Sequence, residues 1–159
     1  VLNICGKQCF PIRNIMILGG SKIGVLTAKL LQQNFNVVLI ERDKQRSIAL
    51  AEMLKKTLVV NADGRDVASL EEEGIENMDA FIAATADSEM NIMSCLVAKS
   101  YGVKKTIAGV ENINYINLSH NIGIDTLINK KIIAASNIFR YIRLPLLLTL
   151  TWTYYDLAA

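Results

Sequence analysis

Three glycines punctuate one short stretch of this chain, Gly19-Gly20-Ser21-Lys22-Ile23-Gly24. The run before it, Ile12 to Leu18, is apolar and reads as a strand. The stretch after it carries Ile23, Leu26, Thr27, Leu30 and Leu31 at helical spacing, which predicts a helix from about Lys22 to Asn34. Val37 to Ile40 is β-branched and too short for a helix, hence a second strand. It ends at Glu41, 22 residues past Gly19. Strand, glycine turn, helix, strand and acid in that order form the layout of a dinucleotide-binding βαβ unit. One position departs from G-x-G-x-x-G: Ser21 stands where the second glycine belongs, at the closest approach of backbone to pyrophosphate.

The alternation continues along the chain. Asp43 is placed to cap a helix through about Lys55, and Leu58 to Val60 reads as strand 3. Asp66 caps a short helix that ends at Gly74. Ala80 to Ala83 is strand 4. Ser88 to Tyr101 is a helix with Ile92, Cys95, Leu96 and Lys99 on one side and Gly102 as its stop. Lys105 to Val110 is strand 5, Asn114 to Asn121 a short helix, and Asp125 to Ile128 strand 6. A last helix from Lys130 to Arg143 has Ile132, Ala135, Phe139 and Ile142 as an inward stripe, and Pro145 ends it. Near-continuous apolar strands need cover on both faces. The expected fold is therefore α/β: a Rossmann-like, doubly wound, parallel six-stranded sheet with helices on both faces.

Length and composition agree. The chain has 159 residues, 52% hydrophobic and 20% charged, enough for one domain with a core and too apolar for disorder. A net charge of +2, spread along the chain, does not suggest a nucleic-acid surface. No apolar run approaches the roughly 20 residues of a membrane helix, and no signal-peptide pattern opens the chain, so a cytoplasmic protein is expected. Cys5, Cys9 and Cys95 form neither a C-x-x-C pair nor a cluster with histidine, and are expected to be reduced thiols without metal. The chain opens on Val1, which reads as a segment of a longer protein. Residues 1–10 are expected to be a linker or the end of a preceding domain, 11–143 the nucleotide-binding domain, and 144–159 an apolar tail or the start of a following domain.

In an open α/β sheet a ligand lies beyond the carboxyl ends of the strands. Four segments fall on that rim: 19–24, 41–42, 61–63 and 85–87. Amides at the start of the first helix, from Ser21 to Ile23, can meet a phosphate, and the helix dipole assists. The Ser21 hydroxyl could bond a phosphate oxygen, or its Cβ could crowd one. Glu41 can accept hydrogen bonds from both ribose hydroxyls and repels a 2′-phosphate, a preference that the neighbouring Arg42 softens. Asp63 can accept from an adenine amino group or simply form a turn beside Gly64. Thr85 can bond ribose or phosphate, whereas Asp66 and Asp87 read as helix caps. Ser88, Tyr101 and Lys105 mimic the spacing of a short-chain dehydrogenase triad, but Gly102 breaks the helix between Tyr101 and Lys105. His120, the single histidine, has no nucleophile beside it, and Glu71-Glu72-Glu73 reads as a solvated helix face.

Read together, IMILGGSKIG, VVLIERD, VVNADGRD, AFIAATADSEMNIMSCLVAKSYG and IDTLINKKIIAASNIFRYIR resemble the RCK/KTN (TrkA N-terminal) domain over residues 12–143. The resemblance rests on Ala62-Asp63-Gly64-Arg65-Asp66, on the T-x-D-x-x-x-N run at Thr85, Asp87 and Asn91, and on Gly123-Ile124-Asp125. It implies a non-catalytic regulatory module of a potassium uptake system. Such modules bind NAD(H), ATP, ADP or AMP, form dimers or larger homo-oligomers, and lie against the inner face of the cell membrane through a potassium transporter subunit. The implied nucleotide contacts are Gly19, Gly20, Ser21, Lys22, Ile23, Glu41, Arg42, Asp63 and Thr85, with Gly24 completing the glycine pattern. Ser21 and Ala62 replace glycines of the family pattern, and Gly109 stands where members often carry an arginine. Those departures motivate an alternative, an assembly scaffold that binds no nucleotide. A dehydrogenase cofactor domain is a further alternative, lacking a catalytic partner within these residues.

Overall fold

Among the described residues, strands and helices alternate from the first strand to the fifth, so that each strand through the fourth is followed by a helix that can return the chain to start the next strand in parallel. The computed structural model describes residues 11–112, 114–115 and 123–147, with backbone alone at 143–147. The strands are β1 Asn14–Leu18, β2 Asn36–Glu41, β3 Thr57–Asn61, β4 Ala80–Ala83, β5 Lys105–Gly109 and β6 Thr126–Ile128. All pairings are parallel, in the order β3-β2-β1-β4-β5-β6. The helices are α1 Lys22–Leu31, α2 Lys44–Met53, α3 Val67–Glu72, α4 Ser88–Ser100 and α5 Lys130–Leu147, with a 3₁₀ turn at Ile75–Asn77.

Alternation along the strands splits the core into two layers. Ile15, Ile17, Val37 and Leu39 face Ala28 of α1 and Leu50 of α2. Met16, Leu18, Ile40 and Phe81 face Leu70 of α3 and Ile92, Cys95 and Ala98 of α4. Helices thus cover both faces, as expected. Chain direction across the sheet reverses between β1, which leads out to β2, and β4, which leads out to β5. The crevice over their carboxyl ends is where a Rossmann-type sheet receives a ligand.

Helix α1 packs by its small residues. Gly24 and Ala28 are buried, while Ile23, Leu26 and Leu30 point outward. A Cβ on Gly24 would lie 2.0 Å from the Gly19 carbonyl oxygen, so only glycine permits this approach.

Helix α5 departs from the sequence reading twice. It does not stop before Pro145 but runs to Leu147. Proline deletes one amide donor and crowds the carbonyl four residues back, yet its own φ stays helical. Its stripe is not inward either: Ile132, Phe139 and Ile142 are 37%, 59% and 69% exposed, and Ala135 is exposed too. Periodicity identifies an apolar face without saying what covers it, and neither core layer includes a residue of α5 among the described residues. Most of the helix expected at 114–121, His120, Cys5, Cys9 and segments 1–10 and 148–159 lie outside the described residues. Cys95 is buried against the sheet, and burial pushes its thiol up to about 12, so it stays protonated and inert.

Asp79 closes the opposite end of the sheet. Its carboxylate accepts from the Arg13 amide at 2.9 Å, the Asn14 amide at 3.1 Å and Lys104 Nζ at 3.0 Å. These bonds, the Arg13 amide foremost, hold its pKa at about 2, down from 3.8. A depressed carboxylate contributes stability that is present above pH 4 and is lost as pH falls towards about 2. Acid unfolding should therefore steepen between about pH 4 and 2, and Asp79→Asn should flatten that part of the curve, read by circular dichroism. An unchanged acid limb in the variant would contradict this role for Asp79.

Candidate functional site

The end of β1 sets the site. Gly19 takes φ +101°, a left-handed conformation that glycine alone adopts readily, and its amide donates to Ile40 O at 2.8 Å. Gly20 is held on both sides. Its amide donates to Glu41 Oε2 at 2.8 Å, and its carbonyl accepts from Arg46 Nε and Nη2 at 2.9 and 2.6 Å. A Cβ here would lie 2.5 Å from both Glu41 Oε2 and Leu50 Cδ1.

Within the chain, the Ser21 side chain is engaged at the start of α1. It caps α1: its hydroxyl accepts from the Gly24 amide at 3.2 Å and donates its one proton to Ala84 O at 2.6 Å. The glycine turn is thereby tied to the end of β4. The Lys22 and Ile23 amides follow at the start of α1, where a helix has no carbonyl of its own to receive them.

Glu41 is mostly covered, its side chain 14% exposed. Its other oxygen accepts from the Asp43 amide at 2.8 Å, and each carboxylate oxygen keeps a second lone pair. Asp43 caps α2 by accepting from the Arg46 amide at 2.7 Å. Asp63 forms the turn that the sequence offered as one of its two roles: its carboxylate accepts from the Arg65 amide at 3.1 Å and from the guanidinium at 3.2 Å. Arg65 in this way keeps Asp63 below the usual carboxylate range.

Thr85 is fixed by buried Asn91. Asn91 Oδ1 accepts from the Thr85 amide at 3.0 Å and its hydroxyl at 2.6 Å, and Asn91 Nδ2 donates to Thr85 O at 3.1 Å and Gly109 O at 2.7 Å. With its proton on Asn91, the Thr85 hydroxyl can offer a ligand only an acceptor. Asp66 and Asp87 cap their helices, accepting from the Ala68 and Met90 amides at 3.2 and 2.9 Å.

These groups converge on one cleft of about 810 Å³ over the carboxyl ends of β1 to β4. Gly19, Gly20, Ser21 and Lys22 line its floor, and Glu41, Arg42, Asp63 and Thr85 line its walls. Ile23 lines an adjoining hollow, and Gly24, on the buried face of α1, lines neither. Arg46, Arg65 and Met90 also line the cleft and were not singled out in the sequence. For Arg46 a signal existed: it sits three residues past the Asp43 cap, in the first turn of α2, which the βαβ layout places over Gly20.

The adjoining hollow, about 300 Å³, lies over β4, β5 and β6 and shares Ser21, Lys22, Thr85 and Ala86 with the cleft. Ile82, Ile107, Val110 and Ile128 make it apolar, and Gly109 lines it too. The dehydrogenase-like triad does not assemble: α4 stops at Ser100, Tyr101 pairs with Glu71, and the buried Ser88 hydroxyl accepts from the Glu111 amide at 2.9 Å. Among the described residues no His, Cys, Asp or Glu group could hold a metal, and no helix is long and apolar enough to cross a membrane.

Residues 15–130 match the family described as the TrkA-N domain. The Trk system potassium uptake protein TrkA of Haemophilus influenzae is 41% identical over 133 residues, covering 84% of this chain. The chain spans only 29% of that relative's length. Among solved structures, the TrkA-N domain of the inner membrane protein ybaL from Escherichia coli superposes with a TM-score of 0.71 at 15% identity, covering 84% of this chain and 98% of that one. The GsuK channel bound to NAD superposes with a TM-score of 0.60 at 20% identity, covering 75% of this chain and 22% of that one. At those identities the two structures support the fold.

Proposed function

The chain belongs to the TrkA-N domain family, and from that premise we propose that it is the nucleotide-sensing, non-catalytic part of a potassium uptake system. The ligand in this reading is NAD(H), with ATP, ADP and AMP as competitors for its adenosine half. The observation that carries it is the meeting of the glycine turn and Glu41 in one cleft at the point where the sheet reverses direction. In this arrangement the Lys22 and Ile23 amides receive the pyrophosphate, Glu41 the adenosine ribose, and the region of Asp63 and Arg65 the adenine. The apolar hollow beside Gly109 matches a nicotinamide ring and has no counterpart in a mononucleotide. It favours a dinucleotide over ATP.

The domain works, in this proposal, as a homodimer or larger homo-oligomer on the cytoplasmic side of a membrane potassium transporter subunit. In this reading the exposed apolar residues of α5 supply subunit contacts. A nucleotide acts on such an assembly only through a difference in affinity between two of its states. One observation favours the scaffold alternative: Gly20 and Ser21 are already satisfied from within the chain. Thermal shift of the purified protein with NAD, NADH, ATP and AMP decides between the two. A rise in melting temperature, largest for NAD or NADH, supports sensing. No rise with any of them supports the scaffold.

The same assay addresses Ser21. Because its proton is committed to Ala84, Ser21→Gly should cost about 1 kcal/mol of stability while leaving NADH affinity unchanged or improved. A large loss of affinity would show that the hydroxyl turns to the phosphate on binding.

A further inference from the structure

Gly20 is held by a charged group at each end of its backbone. Its amide donates to the Glu41 carboxylate, an anion, and its carbonyl accepts from the Arg46 guanidinium, a cation. Arg46 directs two nitrogens at that one oxygen, Nε at 2.9 Å and Nη2 at 2.6 Å. Its own root is fixed in the first turn of α2, where its amide donates to the Asp43 carboxylate. Glu41 Oε2 lies 3.8 Å from Arg46 Nε, so the two charged groups also support each other. The glycine turn is thus braced from α2 by a side chain that the glycine pattern does not contain.

Bracing the Gly20 carbonyl also sets the next amide. Among the described residues no peptide bond is cis, and in a trans peptide the carbonyl and the amide point in opposite directions. With Gly20 O aimed at Arg46, the Ser21 amide is aimed away from α2. Of the four amides that open α1, Ser21 Oγ takes that of Gly24. Those of Ser21, Lys22 and Ile23 have no carbonyl within the helix to receive them. Ser21 lines both the cleft and the hollow, at the join between them. A cation on the carbonyl polarises the peptide and strengthens its N–H as a donor to an anion. Arg46 itself has committed the single Nε proton and one of the two on Nη2 to Gly20 O. We propose that Arg46 is a positioning residue for anion binding: from α2 it orients and polarises the Gly20–Ser21 peptide, so that the Ser21 amide joins those of Lys22 and Ile23 as a phosphate donor. The proposal rests on the nucleotide reading above and adds to it a residue that acts on the phosphate through the backbone.

The test compares the native protein with Arg46→Met, which removes both bonds, and with Arg46→Lys. Each is titrated with NADH by fluorescence and with phosphate-free adenosine in competition, and circular dichroism verifies each fold. The Ser21 amide nitrogen shift is read in the ligand-free proteins, because it responds to what the preceding carbonyl bonds. Arg46→Met should bind NADH about tenfold more weakly, with adenosine affinity unchanged and the Ser21 amide shifted before any ligand is added. Arg46→Lys, whose ammonium can still donate to Gly20 O, should fall between the two and carries the test where Arg46→Met does not fold. Unchanged NADH affinity in the folded variants would overturn the proposal and leave the nucleotide reading standing. A loss with the ligand-free Ser21 amide unmoved would overturn it too, because the guanidinium would then meet the phosphate itself. An equal loss for adenosine would assign Arg46 to the cleft as a whole, again against the proposal. A native protein that binds no NADH overturns both readings.

Discussion

Asn91→Leu should lower the unfolding free energy by about 4 kcal/mol, because a side chain of similar size then leaves several covered polar groups without partners. Asn91 is fully buried, and its amide connects three separate pieces of the rim. Its oxygen accepts from the Thr85 amide and hydroxyl, and its nitrogen donates to the carbonyls of Thr85 and Gly109. Leucine replaces none of these bonds. The loop after β4 is then free to drift from the end of β5, and the cleft and the hollow lose their common wall at Thr85. Urea unfolding measures the effect, with Met93→Ala on the exposed side of the same helix as a control that should stay within about 0.5 kcal/mol of the native protein. An Asn91→Leu protein of near-native stability would mean that water or a rearranged loop satisfies those groups.

Gly24→Ala is expected to cost about 3 kcal/mol and to abolish nucleotide binding at ligand concentrations that saturate the native protein. The added methyl would meet the Gly19 carbonyl oxygen at 2.0 Å. That oxygen belongs to the backbone of the glycine turn, which is anchored by the Gly19 amide on Ile40 O, so no side chain can rotate away to make room. Relief requires α1 to lift from β1, which uncovers Ala28 and displaces the Lys22 and Ile23 amides from the cleft. A shift in the urea midpoint together with lost binding is the expected pair of results. Native-like stability and affinity would mean that α1 can slide on the sheet at little cost.

Gly24 was legible in the sequence because its role is local, one close contact within a single turn. Strand β4 was legible too: Ala80 to Ala83 is apolar and bounded by Asp79 and Thr85, and its limits match the structure. The caps at Asp43, Asp66 and Asp87 followed from side-chain chemistry that acts over three residues. What the sequence does not show has its cause further away in the chain. The sequence leaves the Ser21 hydroxyl open to a phosphate, or its Cβ in the way of one. Its actual partner, Ala84 O, is 63 residues distant and is brought alongside only because β4 pairs with β1. Arg46 went unremarked because its reach back to Gly20 depends on how α2 returns over β2. The face of α5 was assigned inward because spacing marks an apolar stripe and carries no information on whether the sheet extends beneath it. Residues within one βαβ unit were thus readable in sequence, while bonds between the two halves of the sheet required the strand order.

A dinucleotide proposed to span both halves of the sheet at its reversal point would perturb amides on both sides of that point. Backbone amide chemical shifts followed during titration with NADH should show saturable changes at Gly19, Gly20, Lys22 and Ile23, at Arg42 and Asp63 on the adenosine side, and at Thr85 and Gly109 beside the apolar hollow, with α5 little affected in the absence of reassembly. No shifts at millimolar NADH, or shifts confined to α5, would contradict it.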